Sequence, residues 1–253
     1  MGDDELSYGR FQDVSSVEVT GSTNDDLAAI AAVDQTTPRV LFAEEQTAGR
    51  GRLDRSWDMA RGGGLMVSFF VPWTQAQSAH LVPIALGVAV HDAVAVTGRS
   101  VGLKWPNDLV ISRGALAGKK LGGMLSASVA AGVVTGLGCN VSWPPLGSAE
   151  LPGAAALDHL DGEPVTVRSL GASLIEHFDR QLGLVQQFGA DPLLARYRDR
   201  CVTIGQDVRV ETSQEHVLGR ATDIDPTGAL LVEVDGQQHT VAVGDVVHLR
   251  PPD

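Results

Sequence analysis

Apolar positions along the chain fall into two regimes. Up to about residue 200, continuous apolar runs alternate with stretches of helical spacing; beyond it, short runs of alternating character recur. The motif Gly21-Ser22-Thr23-Asn24 precedes a helix-like run over 25–32, so Ser22 or Thr23 is expected as its N-cap. Residues 40–43 and 65–71 read as buried strands, and the polar, glycine- and arginine-rich stretch 44–64 between them as a long loop. A helix is expected over 77–97, with Pro83 in its first turns. Strands at 101–105 and 108–112 flank the turn signal Pro106-Asn107. Two more, 121–130 and 133–137, flank Ala131-Gly132. Residues 143–159, rich in proline, glycine and alanine, read as a flexible loop, and 165–185 and 192–200 as helices. Strands at 207–211, 219–224, 230–234 and 239–243 follow, with turn signals at 225–228 and at Asp235-Gly236. The expected organisation is an N-terminal extension (1–20), a mixed α/β body (21–200) and a small C-terminal β-barrel (201–253).

Composition narrows the class. With 253 residues, 43 % hydrophobic and 20 % charged, the chain has an ordinary globular make-up. It has no apolar run of membrane-spanning length and no signal-like apolar segment near Met1. Cys139 and Cys201 are too few for a disulfide framework. A cytoplasmic protein without a membrane partner is therefore expected. The net charge of −12 makes the chain a poor general binder of nucleic acid. Positive charge is concentrated instead. The three lysines, Lys104, Lys119 and Lys120, stand close in sequence, and Arg50, Arg52, Arg55 and Arg61 share one short stretch. Codon bias plus chance is the alternative explanation of that distribution.

Gly49-Arg50-Gly51-Arg52 alternates backbone freedom with guanidinium groups, a combination suited to a carboxylate or phosphate. Trp57 follows and offers a stacking surface. Taken alone the tetrapeptide is equally a solvated loop or an RNA-binding patch. Lys104-Trp105-Pro106-Asn107-Asp108 is a second cluster, which also fits a plain hairpin turn. Gly118-Lys119-Lys120-Leu121-Gly122-Gly123 suggests a phosphate loop but fails it: three residues separate Gly114 from Gly118, and Lys120 stands where Ser or Thr is required. Gly136-Leu137-Gly138 lacks the third glycine of a dinucleotide fingerprint. His91 and His177 lie in helical runs and read as structural, and no spacing suggests a metal cage.

Together these clusters resemble one family. Gly21-Ser22-Thr23-Asn24, Gln46 to Arg52 with Arg55 and Trp57, Lys104 to Asp108, Lys120-Leu121-Gly122-Gly123 and Gly136 to Asn140 occur in the order and spacing of biotin protein ligases. The resemblance runs from about Ser22 to Arg250. Lys119 before Lys120 and Gly122, where alanine is common, depart mildly from the family pattern. The fold so implied is α+β: a mixed-sheet catalytic domain of the biotin/lipoate ligase type with a small SH3-like barrel. About twenty residues precede Gly21, which suggests the monofunctional type without an N-terminal DNA-binding domain.

The resemblance also implies roles. Ser22, Thr23 and Gln46 would hydrogen-bond the ureido ring of biotin, helped by the backbone around Gly49, Arg50, Gly123, Leu125, Gly136 and Gly138. Arg52 and Lys120 would meet the carboxylate and the α-phosphate. Lys104, Arg55, Asn107 and Asn140 would handle the phosphates of ATP and its Mg2+, with Trp57 near the adenine. Lys120, Arg52, Lys104 and Asp108 form the implied catalytic set; Asp108 either orients or deprotonates the acceptor lysine or serves the turn. The implied acceptor is a biotin carboxyl carrier domain, with no specific DNA partner and a monomer or weak homodimer.

This assignment makes physical sense, because an anionic carboxylate attacking an anionic phosphate needs cations to offset the repulsion. No protein nucleophile is required, in keeping with the lack of a Ser-His or Cys-His pattern. A lipoate protein ligase, or a non-enzymatic binder of biotin or its adenylate, remains the alternative. The glycine-rich loop 47–64 is expected to be mobile until an anionic ligand orders it.

Overall fold

The computed structural model describes residues 9–53, 55–75, 78–149, 151–211, 216–242 and 244–249. The body is a seven-stranded sheet in the order β1-β2-β3-β7-β6-β5-β4. Its strands are β1 (Asp13–Thr20), β2 (Arg39–Gln46), β3 (Gly64–Pro72), β4 (Val101–Lys104), β5 (Asp108–Ile111), β6 (Lys120–Val129) and β7 (Gly132–Asn140). Only β1 and β2 run parallel; the remaining neighbours are antiparallel, so the sheet is mixed as expected.

Helix α1 (Thr23–Val33) covers one face, where Leu27 and Ala31 pack with Leu41, Phe70 and Val134. Helices α2 (Leu81–Ala95), α3 (Val167–Phe188) and α4 (Asp191–Arg200) belong to the larger core on the other face. Strand β3 is covered on both sides and is buried along almost its whole length, which is why it reads as a continuous apolar run. Phe11, Phe69 and Phe178 meet there with ring centroids 4.9–5.7 Å apart.

The C-terminal segment forms a second, antiparallel sheet in the order β11-β10-β9-β8-β12. It comprises β8 (Asp207–Glu211), β9 (His216–Ile224), β10 (Leu230–Val234), β11 (Gln237–Val241) and β12 (Asp245–His248). Among the described residues its end strands β11 and β12 are not hydrogen-bonded to each other, so the small barrel is open. It shares one continuous apolar core with the body, and polar contacts add to the docking. Trp105 Nε1 donates to the Gly228 carbonyl at 3.0 Å, and Trp105 N to Thr203 Oγ1 at 3.0 Å.

Several expectations are corrected. The stretch read as an N-terminal extension contains β1, whose alternation of Val14, Ser16, Val17 and Val19 is too irregular to announce an edge strand. A fifth C-terminal strand, β12, escaped the sequence pattern. The expected helix start at Gln77 and strand end at Val243 lie outside the described residues, as do 1–8 and 250–253. The loop expected over 143–159 is not free throughout. Ala155, Ala156 and Leu157 are fully buried, and backbone bonds of 2.8 Å link Lys120 to Gly153 and to Ala155. Small side chains there let the loop lie against the start of β6 and hold Lys120 in place.

Candidate functional site

A cleft of about 350 Å3 opens where the N-terminus of α1, the loop after β2, the β4–β5 turn, β6, β7 and β12 converge. That size suits a small-molecule ligand. Its floor is glycine. Gly123 on β6 lies in register with Gly138 on β7, and Leu125 with Gly136. A Cβ at Gly136 would stand 2.4 Å from Asn24 Oδ1, and one at Gly138 would stand 2.4 Å from the Trp57 ring. Neither position has room for a side chain.

Around Gly136 the lining is polar and neutral. Ser22 is the N-cap of α1, yet its hydroxyl makes no capping bond and stays available to the cleft. Gln46 Oε1 instead accepts the Thr23 backbone N–H at 2.8 Å. Thr23, Asn24 and Ser68 are buried and linked: Thr23 Oγ1 lies 2.7 Å from Ser68 Oγ, which donates to Asn24 Oδ1 at 2.6 Å. Asn24 Nδ2 donates to the Leu125 carbonyl at 3.0 Å.

Two residues along β7, roughly 7 Å away by strand rise, the character changes. Lys120 reaches over Gly123 and stands 2.7 Å from Asp108, with its Nζ 5.6 Å from the centroid of Trp57. Lys104 and Asp108 are directly opposed across the β4–β5 turn. Burial pushes the Lys104 ammonium below its usual range, and nearby Lys120 adds to this, while Asp108 and Asp245 oppose it. Arg52 and Arg55 come from the loop and share Asp245 of β12, at 3.4 and 2.5 Å. Arg52 also donates to Asn107 Oδ1 at 3.4 Å and to the Gly244 carbonyl at 3.2 Å. Arg50 pairs with Asp25 at the rim. Five cations thus face three carboxylates, Asp108, Glu211 and Asp245, within a chain of net charge −12.

Most residues singled out from the sequence meet here: Ser22, Thr23, Gln46, Arg50, Arg52, Arg55, Trp57, Lys104, Asn107, Asp108, Lys120, Gly123, Leu125, Gly136 and Gly138 all line the cleft. Gly49 lies just beneath, with its carbonyl accepting from Trp57 N at 2.9 Å. Lys120, not Lys119, faces the cleft; Lys119 turns outward to the Pro152 carbonyl. One residue stands elsewhere than expected. Asn140 is buried at the end of β7 and does not line the cleft; its Nδ2 donates to the Ala155 carbonyl at 2.8 Å. Trp57 lies on the glycine floor at Gly123 and Gly138, with its Nε1 buried and unpaired.

Ser68 and Asp245 were not anticipated from the sequence, and Asn24 was given no role. Ser68 carried a signal, being a lone polar residue in an apolar strand. Asp245 carried none, since its contact with the loop spans 190 residues.

The site offers neutral recognition at one end and cationic stabilisation at the other, without a nucleophile. Both cysteines are buried, and burial pushes the Cys139 thiol up to about 12. Among the described residues no group of three His, Cys, Asp or Glu gathers to cage a metal.

Comparison with known proteins agrees with this picture. The sequence profile of the Biotin/lipoate A/B protein ligase family matches residues 16–143. That of the Biotin protein ligase C terminal domain matches residues 203–249. A biotin–[acetyl-CoA-carboxylase] ligase of Mycobacterium tuberculosis is 38 % identical over 249 residues, covering 95 % of this chain and 90 % of that protein. Its counterpart in Paracoccus denitrificans is 27 % identical, covering 90 % and 97 %. Among solved structures, a biotin protein ligase from Aquifex aeolicus in complex with biotin and ATP shares the fold. Its TM-score is 0.77 at 21 % identity, with 95 % of this chain and 100 % of that chain covered.

Proposed function

The chain belongs to the biotin/lipoate A/B protein ligase family, and from that premise we propose that it joins biotin to AMP and then to a lysine of a biotin carboxyl carrier domain. It is a ligase, with biotin and ATP as substrates. The observation that carries the reading is the division of one cleft between the neutral Ser22, Thr23 and Gln46 and the cationic Arg52, Lys104 and Lys120. We read residues up to about 200 as the catalytic domain and the second sheet as an accessory domain that closes one side of the cleft with Asp245.

In the first half-reaction a carboxylate oxygen of biotin attacks the α-phosphorus of ATP. The bond from that phosphorus to the bridging oxygen breaks, and pyrophosphate leaves. Lys120 and Arg52 stabilise the negative charge at the α-phosphate, and Arg55 and Lys104 the charge moving onto pyrophosphate. Asn107 holds Arg52, and Asp108 holds Lys120 until the phosphates arrive. Asp108 and Asp245 in the cleft would suit Mg2+ held mainly by its nucleotide, and such an ion would neutralise phosphate charge. In the second half-reaction the carrier's amine nitrogen attacks the acyl carbon. The bond to AMP breaks, AMP leaves, and the new ammonium loses a proton.

A carrier protein rather than DNA is the macromolecular partner in this reading, which the net charge of −12 supports. No helix among the described residues is long and apolar enough to cross a membrane, and a cytoplasmic site of action is part of the proposal. The test is biotin-dependent exchange of labelled pyrophosphate into ATP. Exchange with biotin and none with lipoate is expected; no exchange with biotin would overturn the reading.

A further inference from the structure

We propose that Ser68 and Asn24 are positioning residues that turn Thr23 and Gln46 into a paired acceptor for one ring N–H of the ligand, so that the pocket selects a cyclic urea by the direction of its hydrogen bonds. This rests on the reading of the cleft as a biotin site and deepens it.

The backbone fixes the orientations of the two amides. A backbone N–H only donates, so the Gln46 atom 2.8 Å from Thr23 N is Oε1. A backbone carbonyl only accepts, so the Asn24 atom 3.0 Å from the Leu125 oxygen is Nδ2. Asn24 Oδ1 therefore faces Ser68 Oγ at 2.6 Å, and the serine must donate. A hydroxyl has one proton. With that proton committed, the 2.7 Å contact between Ser68 and Thr23 requires Thr23 to be the donor.

Thr23 Oγ1 also approaches Gln46 Oε1, at 3.1 Å. Its proton can serve only one of the two partners in full. Giving it to Gln46 would oblige Ser68 to donate to Thr23 and would leave Ser68 and Asn24 with lone pairs opposed at 2.6 Å. The shorter contacts decide the outcome, and the chain of donation runs from Thr23 to Ser68 to Asn24 to the Leu125 carbonyl. Thr23 Oγ1 and Gln46 Oε1 then present only lone pairs between them.

Burial keeps this direction in place. Ser68 is 1 %, Thr23 3 % and Asn24 9 % exposed, so water has little access to reorient the hydroxyls. Gly136 is part of the same device, because a Cβ there would stand 2.4 Å from Asn24 Oδ1 and 2.9 Å from Ser68 Oγ. The consequence is a chemical filter. A ring N–H binds the acceptor pair. A ring oxygen, a thioether or a carboxylate meets opposed lone pairs. The Nε2 of Gln46, which has no hydrogen-bond partner among the described residues, is left as a donor for a neighbouring ring carbonyl.

The experiment compares biotin with the two cyclic carbamates in which one ring N–H or the other is replaced by oxygen. The readout is acid-dependent pyrophosphate exchange, expressed as relative kcat/KM. The wild-type protein is expected to reject one carbamate by about a hundredfold or more. Ser68→Ala frees the Thr23 proton to turn toward that oxygen. Asn24→Ala does the same by releasing the Ser68 proton to Thr23. Each is expected to shrink the discrimination by about tenfold, or about 1.4 kcal/mol. Thr23→Val, which removes the switching hydroxyl, should cancel the effect of Ser68→Ala on selectivity, a non-additivity that a packing defect would not produce. Thermal unfolding of every variant establishes that it is folded, and Asn24→Ala carries the test if Ser68→Ala is not. Unchanged selectivity in the folded variants, with biotin-dependent exchange intact in wild type, overturns the relay alone. A wild-type protein without biotin-dependent exchange overturns the reading of the site on which the relay stands.

Discussion

Asp245, the first residue of the last strand, receives Arg55 of the glycine-arginine loop at 2.5 Å. Its other oxygen faces Arg52 at 3.4 Å. A carboxylate of the second sheet thus occupies the same guanidinium groups that we assign to the substrate's anions. Ligand binding must displace it, and the cost is modest because Arg55 is 66 % exposed. Asp245→Ala is expected to tighten the binding of biotinyl-adenylate about two- to fivefold, roughly the worth of one exposed ion pair. It should also make the loop more sensitive to trypsin in the absence of ligand. Unchanged adenylate affinity would show that the arginines and Asp245 do not compete.

Lys120 and Asp108 offer a sharper test of the cationic end. Lys120→Ala should lower the rate of adenylate formation by about 10²–10³, the usual effect of losing one preorganised charge. It also takes from Asp108 the partner it holds at 2.7 Å, leaving Lys104 opposite to offset its charge toward the incoming phosphates. Asp108→Asn in the same chain should therefore recover part of the loss, by about three- to tenfold. Single-turnover adenylation measures both effects. A double variant slower than Lys120→Ala would mean that Asp108 acts on the substrate directly.

The body was legible in the sequence to the extent that its chemistry is local. Gly49 to Arg52, Lys104 to Asp108 and Lys120 to Gly123 each sit on one turn or strand end, and all three meet in the cleft. What could not be read depends on pairing across the sheet. Ser68 acquires its role only because β3 lies beside β7 in the register that sets it opposite Gly136. Asp245 meets Arg52 only once the second sheet docks. Asn140 belongs to a motif of the family pattern, yet its amide serves the Ala155 carbonyl, a contact that depends on how the 151–157 segment returns to β6.

Trp57 occupies the floor where the ligand is expected, and its buried indole N–H lacks an acceptor. An unmet buried donor costs about 1–3 kcal/mol, so the ring is poised to leave. Biotin should change the fluorescence of the wild-type protein, and Trp57→Phe should abolish that change. Gly138→Ala puts a Cβ 2.4 Å from the ring and should reproduce the shifted spectrum without ligand. A biotin-induced signal that survives in Trp57→Phe would assign it to another of the four tryptophans.

The junction between the two sheets carries a pH dependence. Thr203 Oγ1 accepts from Trp105 N at 3.0 Å and pairs with His248 Nε2, 3.1 Å away. Burial, with the Lys104 ammonium adding to it, brings the imidazole down from 6.5 to about 4. The unfolded chain therefore binds more protons than the folded one between about pH 4 and 6.5. Stability from this group should rise with pH across that window, be complete above 6.5, and be lost as pH falls through it toward 4. Because the ring is only half-buried, solvent screening limits the effect to about 1–2 kcal/mol. His248→Gln keeps an acceptor for Thr203 but does not titrate, and it should flatten the pH dependence between 4.5 and 6.5 while leaving stability at pH 7.5 within about 1 kcal/mol. Urea unfolding midpoints at several pH values measure the slope in both proteins. An equally steep slope in the variant would locate the titrating group elsewhere.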